Sequence, residues 1–220
     1  MTCKVLMLLS NVKIAKDAAC GFELIYYFNS AQSTDRESVG ATRFQAGCEL
    51  AKIYGIKGDI VVPVPNTARE VAKGYSYVSG IKFGEVIVAK KECGRYFTKK
   101  TQEEREKVAN EKFIYLPEEI KGKEVILIDD SIVRGTTTRS VIRHLREYGA
   151  SKIHMLVASS PVINTCEKIM VASRGELIAT DKTIGQIRKE IGADTLHYLP
   201  LDIAQEIYGG NKKLCLDCFS

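Results

Sequence analysis

Residues 125–138 have the sequence VILIDDSIVRGTTT, in which four apolar residues lead into two adjacent acids and a loop of glycine and threonine. Residues 138–148 then place apolar side chains at helical spacing, Gly149 follows them, and a second apolar run occupies 153–158. This order predicts a strand, an anion-binding loop, a helix and a second strand. Together they form a right-handed parallel unit.

The carboxyl end of the first strand is where this unit can bind a ligand, as in other open parallel sheets. Asp129 and Asp130 stand at that end, and adjacent carboxylates suit Mg²⁺ or sugar hydroxyls. The loop that opens the helix offers free N–H groups and the positive end of the helix dipole, which favour a phosphate. The pattern therefore predicts a ligand with a phosphate at one end and a hydroxylated, Mg-chelating part beside it. Taken alone, Asp129 is also compatible with an ordinary loop acid and Thr138 with a helix cap.

This stretch resembles the phosphoribosyl pyrophosphate (PRPP) motif of type I phosphoribosyltransferases, and DDSIVRGTTTR is most similar to the form in glutamine PRPP amidotransferases. The resemblance implies an α/β fold with an open, mainly parallel sheet flanked by helices and a small C-terminal or hood subregion. It also implies that the acids contact the ribose hydroxyls and that the loop cradles the 5′-phosphate. The PRPP-binding residues implied in this motif are Asp129, Asp130, Ser131, Arg134, Gly135, Thr136, Thr137 and Thr138.

A second segment supports the resemblance at residues 60–67, where an apolar strand with two prolines runs into Asn66 and Thr67. The resemblance implies that the Thr67 hydroxyl approaches the metal and pyrophosphate, so that Mg²⁺ is held by Thr67, Asp129 and Asp130. Asn66 departs from the acid usual in the family. Thr67 with Glu70 also has the pattern of a capping box for the next helix, and both roles are compatible at a helix N-terminus.

Residues 90–106 have the sequence KKECGRYFTKKTQEERE and follow a strand predicted at 85–89. Composition alone favours a solvated charged loop. The resemblance implies a mobile lid that closes over PRPP and excludes water. Lys90 and Arg95 are then the residues that contact the pyrophosphate and contribute to catalysis. Five positions of the lid depart from the family pattern.

The chain has seven cysteines, and neither a signal peptide nor an apolar run of membrane length is apparent in the sequence. The odd number argues against a disulfide framework and favours a cytoplasmic location. The resemblance extends to amidotransferases that hold a [4Fe–4S] cluster. It implies the ligands Cys20, Cys166, Cys215 and Cys218. Four thiolates suit a cluster or tetrahedral zinc; we rank the cluster first, unoccupied cysteines second and zinc third.

The length of 220 residues and the apolar content of 45% predict a single domain, residues 1–220. We expect an N-terminal lead segment at 1–19, a PRPP-binding core at 20–160 that includes the lid at 90–106, and a C-terminal region at 161–220 with three of the cluster cysteines. The net charge of +5 fits a small anionic substrate better than a nucleic-acid groove. Because no apolar run of membrane length is apparent, we expect no membrane partner. Further elements are predicted as helices at 38–54, 181–191 and 202–208 and a strand at 196–199.

Residues 1–19 do not resemble the glutaminase domain that precedes the synthase half in the family, and residues 28–33 lack the Arg and Asp of the family's FARPDS segment. The expectation is a stand-alone, Mg²⁺-dependent pentosyltransferase. Ammonia, free or from a separate glutaminase subunit, attacks C1 of PRPP and gives 5-phosphoribosylamine and pyrophosphate, the first step of de novo purine synthesis. We also expect a homo-oligomer. The alternatives are a nucleobase salvage phosphoribosyltransferase and a non-catalytic protein that senses PRPP or nucleotides.

Overall fold

The computed structural model describes residues 19–33, 37–90, 112–166, 172–211 and 213–220. Within these ranges the strands are β1 (Ala19–Cys20), β2 (Ile60–Pro63), β3 (Ile87–Ala89), β4 (Phe113–Tyr115), β5 (Glu124–Asp129), β6 (Lys152–Val157), β7 (Thr195–Tyr198) and β8 (Leu214–Cys215). The α-helices are α1 (Val39–Tyr54), α2 (Arg69–Ser79), α3 (Thr136–Glu147), α4 (Ile184–Ile191) and α5 (Leu201–Ala204). π-Helical turns occupy Glu23–Tyr27 and Gln205–Gly209, and 3₁₀ turns occupy Pro117–Glu119 and Arg174–Glu176.

The central sheet has the strand order β2-β5-β6-β7, and every neighbouring pair is parallel. All four residues of β2 are buried, as are residues 125–129 of β5. Burial on both faces explains why these strands appear in the sequence as continuous apolar runs rather than as alternating patterns. The predicted α/β class with a mainly parallel sheet is confirmed, and β5, α3 and β6 form the unit expected from residues 125–158.

Two hydrophobic cores lie on the two faces of this sheet, because successive side chains of a strand point to opposite sides. Ile126 and Ile128 of β5 belong to the core that α1, α2 and the C-terminal region cover. Val125 and Leu127 belong to the core formed with α3, α4 and the β3–β4 pair. The carboxyl end of β5 is therefore held between two packed layers.

Helix ends follow local signals in the sequence. The Ser38 side chain accepts a hydrogen bond from the Ala41 N–H at 3.2 Å at the start of α1, and Gly55 ends this helix in the left-handed region with a φ of 54°. Helix α4 begins later than predicted, because Thr183 forms its capping box. The Gln186 N–H donates to the Thr183 hydroxyl at 3.3 Å, and the Thr183 N–H donates to the Gln186 side chain at 2.8 Å.

The predicted helix at 202–208 is divided in the structure. Helix α5 spans only Leu201–Ala204, and a π-helical turn continues the chain over Gln205–Gly209. The predicted strand at 196–199 is β7, which lies one residue earlier, at Thr195–Tyr198. No helix among the described residues has the length and apolarity needed to cross a bilayer.

Two small sheets flank the central one. Strands β1 and β8 pair in parallel, with Cys20 opposite Cys215, and this pair joins the N-terminal segment to the C-terminal tail. Strands β3 and β4 pair antiparallel on either side of residues 91–111, which lie outside the described residues. Of the predicted lid, only Lys90 is therefore described.

Candidate active site

Asp129 and Asp130 lie at the carboxyl end of β5, and both side chains are buried. The Asp130 N–H donates to the Asp129 carboxylate at 2.9 Å. Burial raises the pKa of both carboxyls, and the charge of Asp130 raises the pKa of Asp129 further. Two adjacent buried acids repel one another unless a cation or a set of donors compensates them, so their chemistry fits a divalent cation with oxygen ligands.

The Asp130 carboxylate is bound by hydroxyl donors on both oxygens. The Thr67 hydroxyl donates to Oδ2, and the Ser131 hydroxyl donates to Oδ1 at 2.8 Å. These bonds favour the ionised form and oppose the effect of burial on the pKa of Asp130. Thr67 lies 63 residues away in sequence and reaches Asp130 because β2 is the direct neighbour of β5.

The capping box predicted for Thr67 and Glu70 is wrong. Helix α2 begins at Arg69, and its N-cap residue is Ala68, which makes no side-chain cap. The Glu70 carboxylate instead pairs with Lys73 at 3.1 Å. The peptide bond between Pro65 and Asn66, in the turn that presents Thr67, is cis.

The predicted phosphate loop opens α3 as expected. Gly135 precedes the helix in the left-handed region with a φ of 71°, and a Cβ at this position would lie 2.5 Å from the Ile178 side chain. Thr136 and Thr138 are buried in the first turn, whereas Thr137 is half-buried. The positive end of the α3 dipole thus follows the acid pair by a few residues, which suits an anion.

Arg134, which is predicted to direct its charge at a phosphate, makes an ion pair within the chain. Its Nε lies 3.0 Å from a carboxylate oxygen of Glu176, in the 3₁₀ turn Arg174–Glu176. The Ile178 N–H also donates to the Val133 carbonyl at 2.8 Å. The segment after residue 172 is therefore joined to the loop by an ion pair and a hydrogen bond. Phosphate binding by Arg134 stays a prediction.

Lys112 is a charged residue near this site that the sequence analysis did not single out. Its positive charge lowers the pKa of both Asp129 and Asp130, against the effect of burial. Its carbonyl accepts a hydrogen bond of 3.0 Å from the Lys90 N–H, so the two lysines meet where the chain enters and leaves 91–111. The sequence signal that could have drawn attention to Lys112 is the apolar strand β4 directly after it, which pairs with β3. Arg95 lies outside the described residues.

Two of the four cysteines expected to bind a cluster lie opposite each other, since Cys20 pairs with Cys215 across β1 and β8. Burial raises the pKa of Cys20 to about 11 and that of Cys218 to about 12. The Ile163 N–H donates to the Cys218 carbonyl at 2.9 Å and so joins the segment before Cys166 to the C-terminal turn.

The chemistry of four thiols fits a cluster or zinc. The described parts of the chain contain no group of three or more His, Cys, Asp or Glu side chains placed to hold one metal ion. The cysteine ligand set therefore stays a prediction.

An open parallel sheet with buried acids at one strand end and the start of a helix beside them is an arrangement typical of α/β domains that bind phosphorylated ligands. The chain belongs to the phosphoribosyl transferase domain family, whose sequence profile matches residues 40–186.

Relatives within this family are amidophosphoribosyltransferases. The enzyme of Methanothermobacter thermautotrophicus is 37% identical over 211 residues, which cover 95% of this chain and 44% of the relative. The enzyme of Drosophila melanogaster is 36% identical over 186 residues, which cover 84% of this chain and 34% of the relative. The chain thus spans less than half the length of these relatives.

A solved structure supports the same relationship. The glutamine PRPP amidotransferase from B. subtilis, complexed with ADP and GMP, superposes with a TM-score of 0.81 at 33% identity. The superposition covers 92% of this chain and 46% of that one. The predicted type I phosphoribosyltransferase fold and the resemblance to the synthase half of the amidotransferases are confirmed.

Proposed function

We propose that this chain is a Mg²⁺-dependent phosphoribosyltransferase in which ammonia attacks C1 of PRPP and gives 5-phosphoribosylamine and pyrophosphate, the first step of de novo purine synthesis. The proposal rests on one observation: the Thr67 hydroxyl donates a hydrogen bond to Asp130, which lies beside Asp129 at the strand end that leads into α3. The similarity to amidophosphoribosyltransferases over 95% of the chain supports ammonia as the acceptor.

The residues divide into three binding roles. The start of α3, from Arg134 to Thr138, binds the 5′-phosphate through N–H groups, hydroxyls and the helix dipole. Asp129 and Asp130 bind the ribose hydroxyls, and Thr67, Asp129 and Asp130 would hold Mg²⁺. When bound, Mg²⁺ neutralises charge on the pyrophosphate leaving group.

The reaction breaks the bond between C1 and the pyrophosphate oxygen, and the lone pair of ammonia forms the new C1–N bond. The nitrogen then releases one proton. Positive charge develops on the ribose as pyrophosphate leaves, and the nearby buried carboxylates stabilise that charge. Lys90, Arg95 and Lys112 hold the pyrophosphate, and the segment at 90–106 excludes water that would hydrolyse PRPP.

The four cysteines are proposed to hold a structural [4Fe–4S] cluster that fastens the C-terminal tail, with unoccupied cysteines ranked second and zinc third. The pairing of Cys20 with Cys215 across β1 and β8, and the hydrogen bond from the Ile163 N–H to the Cys218 carbonyl, support this ligand set. No redox step is needed for the transfer. We also propose that a separate glutaminase subunit can supply the ammonia, that the protein is a homo-oligomer and that it is located in the cytoplasm.

Cys215→Ser is expected to remove any brown visible absorbance from protein purified without oxygen, because the cluster loses one of its four thiolates. The matched control is Cys48→Ser, since the Cys48 thiol donates to the Gly74 carbonyl at 3.5 Å and lies outside the set. Visible spectra and the iron and zinc content check the result. An unchanged spectrum in Cys215→Ser contradicts the ligand set.

Thr67→Val is expected to weaken the binding of Mg²⁺ and PRPP by about tenfold, because Asp130 loses a hydroxyl donor while the side-chain volume is conserved. Thr67→Ser keeps the hydroxyl and serves as the control. Titration calorimetry of PRPP with Mg²⁺ measures both variants. Equal affinities for the two would exclude a role for the hydroxyl.

The proposed activity is tested by mixing anaerobically purified protein with PRPP, Mg²⁺ and ammonium at alkaline pH and following pyrophosphate release. Release that depends on ammonium supports the proposal. Release that depends instead on an added purine or pyrimidine base favours the salvage alternative. PRPP binding without any release favours the sensing alternative.

A further inference from the structure

Three contacts join the loop that opens α3 to a segment far along the chain. The Glu176 carboxylate, 42 residues after Arg134, lies 3.0 Å from the Nε of that arginine. The Ile178 N–H donates to the Val133 carbonyl at 2.8 Å. The buried Ile178 side chain also covers Gly135, since a Cβ on this glycine would lie 2.5 Å from it. The contacts thus fall on three consecutive residues of the loop.

Glu176 is itself held in one orientation. It ends the 3₁₀ turn Arg174–Glu176, which has a capping box. Its Oε2 accepts from the Ser173 N–H at 2.9 Å and from the Ser173 hydroxyl at 3.1 Å, while its Oε1 accepts from the Arg134 Nε. Both carboxylate oxygens therefore have a partner, and the turn sets where the Arg134 guanidinium lies.

The ion pair is only partly buried, with side-chain exposed fractions of 16% for Arg134 and 30% for Glu176. Pairs at this degree of exposure add little to stability, because water and salt screen them and two long side chains lose rotational freedom. What the pair supplies is a defined orientation of a guanidinium whose long side chain otherwise samples many rotamers. This favours a role in binding over a role in stability.

We propose that Glu176 is a positioning residue for the 5′-phosphate of PRPP, which holds the Arg134 guanidinium in the orientation in which it binds the phosphate. A guanidinium that is fixed before the ligand arrives loses little further freedom on binding, and its planar donors match phosphate oxygens. Ile178 supports the same geometry by fixing the backbone of the loop. The inference rests on the proposed function, which places the 5′-phosphate at the start of α3.

The opposite role for Glu176 is competition, in which the phosphate has to displace the carboxylate from Arg134. Glu176→Asp separates the two roles. It keeps the negative charge but shortens the side chain by one methylene, so that the carboxylate no longer spans Ser173 and Arg134. Positioning predicts weaker binding of the phosphate, and competition predicts tighter binding.

We expect Glu176→Asp to raise the Kd of ribose 5-phosphate about tenfold, because the guanidinium loses its fixed orientation. Ribose 5-phosphate carries the 5′-phosphate without the pyrophosphate, so its affinity does not depend on contacts to the leaving group. The matched control is Glu147→Asp, which shortens the acid of another Arg–Glu pair of α3, with the Arg143 Nε at 3.6 Å. This control should bind ribose 5-phosphate as the wild type does.

Titration calorimetry on the full chain measures the Kd, and turnover with PRPP and ammonium gives a second readout. The KM for PRPP should rise in Glu176→Asp, while the KM for ammonium stays unchanged. A loss of stability alone would lower the number of binding-competent chains but not the Kd of the folded protein. Unchanged or tighter binding of ribose 5-phosphate in Glu176→Asp overturns the proposal.

Glu176→Gln replaces Glu176→Asp if the shorter side chain prevents folding. The amide keeps the length and an acceptor for Ser173, but it bonds a guanidinium less strongly than a carboxylate does. Loss of a negative charge by itself would favour phosphate binding. Weaker binding of ribose 5-phosphate therefore supports positioning, and equal or tighter binding contradicts it.

The outcome for the wild type separates this inference from the proposed function. Wild-type protein that binds ribose 5-phosphate but releases no pyrophosphate overturns the proposed function, while the comparison with Glu176→Asp still decides the role of Glu176. Wild-type protein that binds neither ribose 5-phosphate nor PRPP overturns both. Turnover by the wild type with equal affinities in Glu176→Asp overturns the positioning role alone.

Discussion

Replacing both acids, Asp129→Asn with Asp130→Asn, is expected to lower pyrophosphate release by about a hundredfold or more while the fold is retained. Both side chains are buried and lie where the ribose and the metal ion are proposed to bind. Asparagine has nearly the same shape but carries no charge. The substitution therefore removes the electrostatic contribution without opening a cavity.

The double variant should lose activity but gain stability. Burial raises the pKa of both carboxyls in the folded protein, so without Mg²⁺ the folded state binds more protons than the unfolded state. The stability of the wild type then falls as the pH rises above about 4, the ordinary value of an aspartate. We expect the double variant to gain stability relative to the wild type over this range.

Pyrophosphate release and urea unfolding at several pH values check both effects. Asp202→Asn, which changes an exposed acid at the start of α5, is the control and should alter neither quantity appreciably. Retained turnover in the double variant would falsify the assignment of the acid pair.

Gly47→Ala is expected to destabilise the protein by about 3 kcal/mol or more, because α1 and α2 touch backbone to backbone at two glycines. A Cβ on Gly47 would lie 1.8 Å from the Val71 carbonyl oxygen, and a Cβ on Gly74 would lie 1.9 Å from the Phe44 carbonyl oxygen. Only separation of the helices relieves such a clash. Activity should fall as well, since α2 begins two residues after Thr67.

Gly185→Ala is the matched control for this substitution. Gly185 also lies in a helix, but the nearest atom to its added Cβ is the Thr183 hydroxyl oxygen at 3.9 Å. Alanine there should stabilise the protein by about 0.5–1 kcal/mol, since it lowers the entropy of the unfolded chain. Urea unfolding followed by circular dichroism measures both variants. Similar stabilities for Gly47→Ala and Gly185→Ala would show that the two helices do not make this contact.

The sequence by itself determined the unit that carries the site. Apolar runs predicted β5 and β6, helical spacing predicted α3, and glycine marked the turn before this helix and the end of α1. These signals are local, because burial of a strand, the period of a helix and a left-handed φ are properties of a few neighbouring residues. The resemblance to a known family then supplied the roles that the pattern alone left open.

Only the tertiary structure decided which side chains meet at the site. The sequence pattern of Thr67 predicted a helix cap, but the placement of β2 beside β5 brings its hydroxyl to Asp130 instead. Likewise, Arg134 pairs with Glu176, which follows it by 42 residues. These partners lie tens of residues apart, and hydrophobic periodicity sets which face of a strand is buried without setting which strand lies next to it. Strand order, and with it the composition of the site, is therefore fixed by packing of the whole domain.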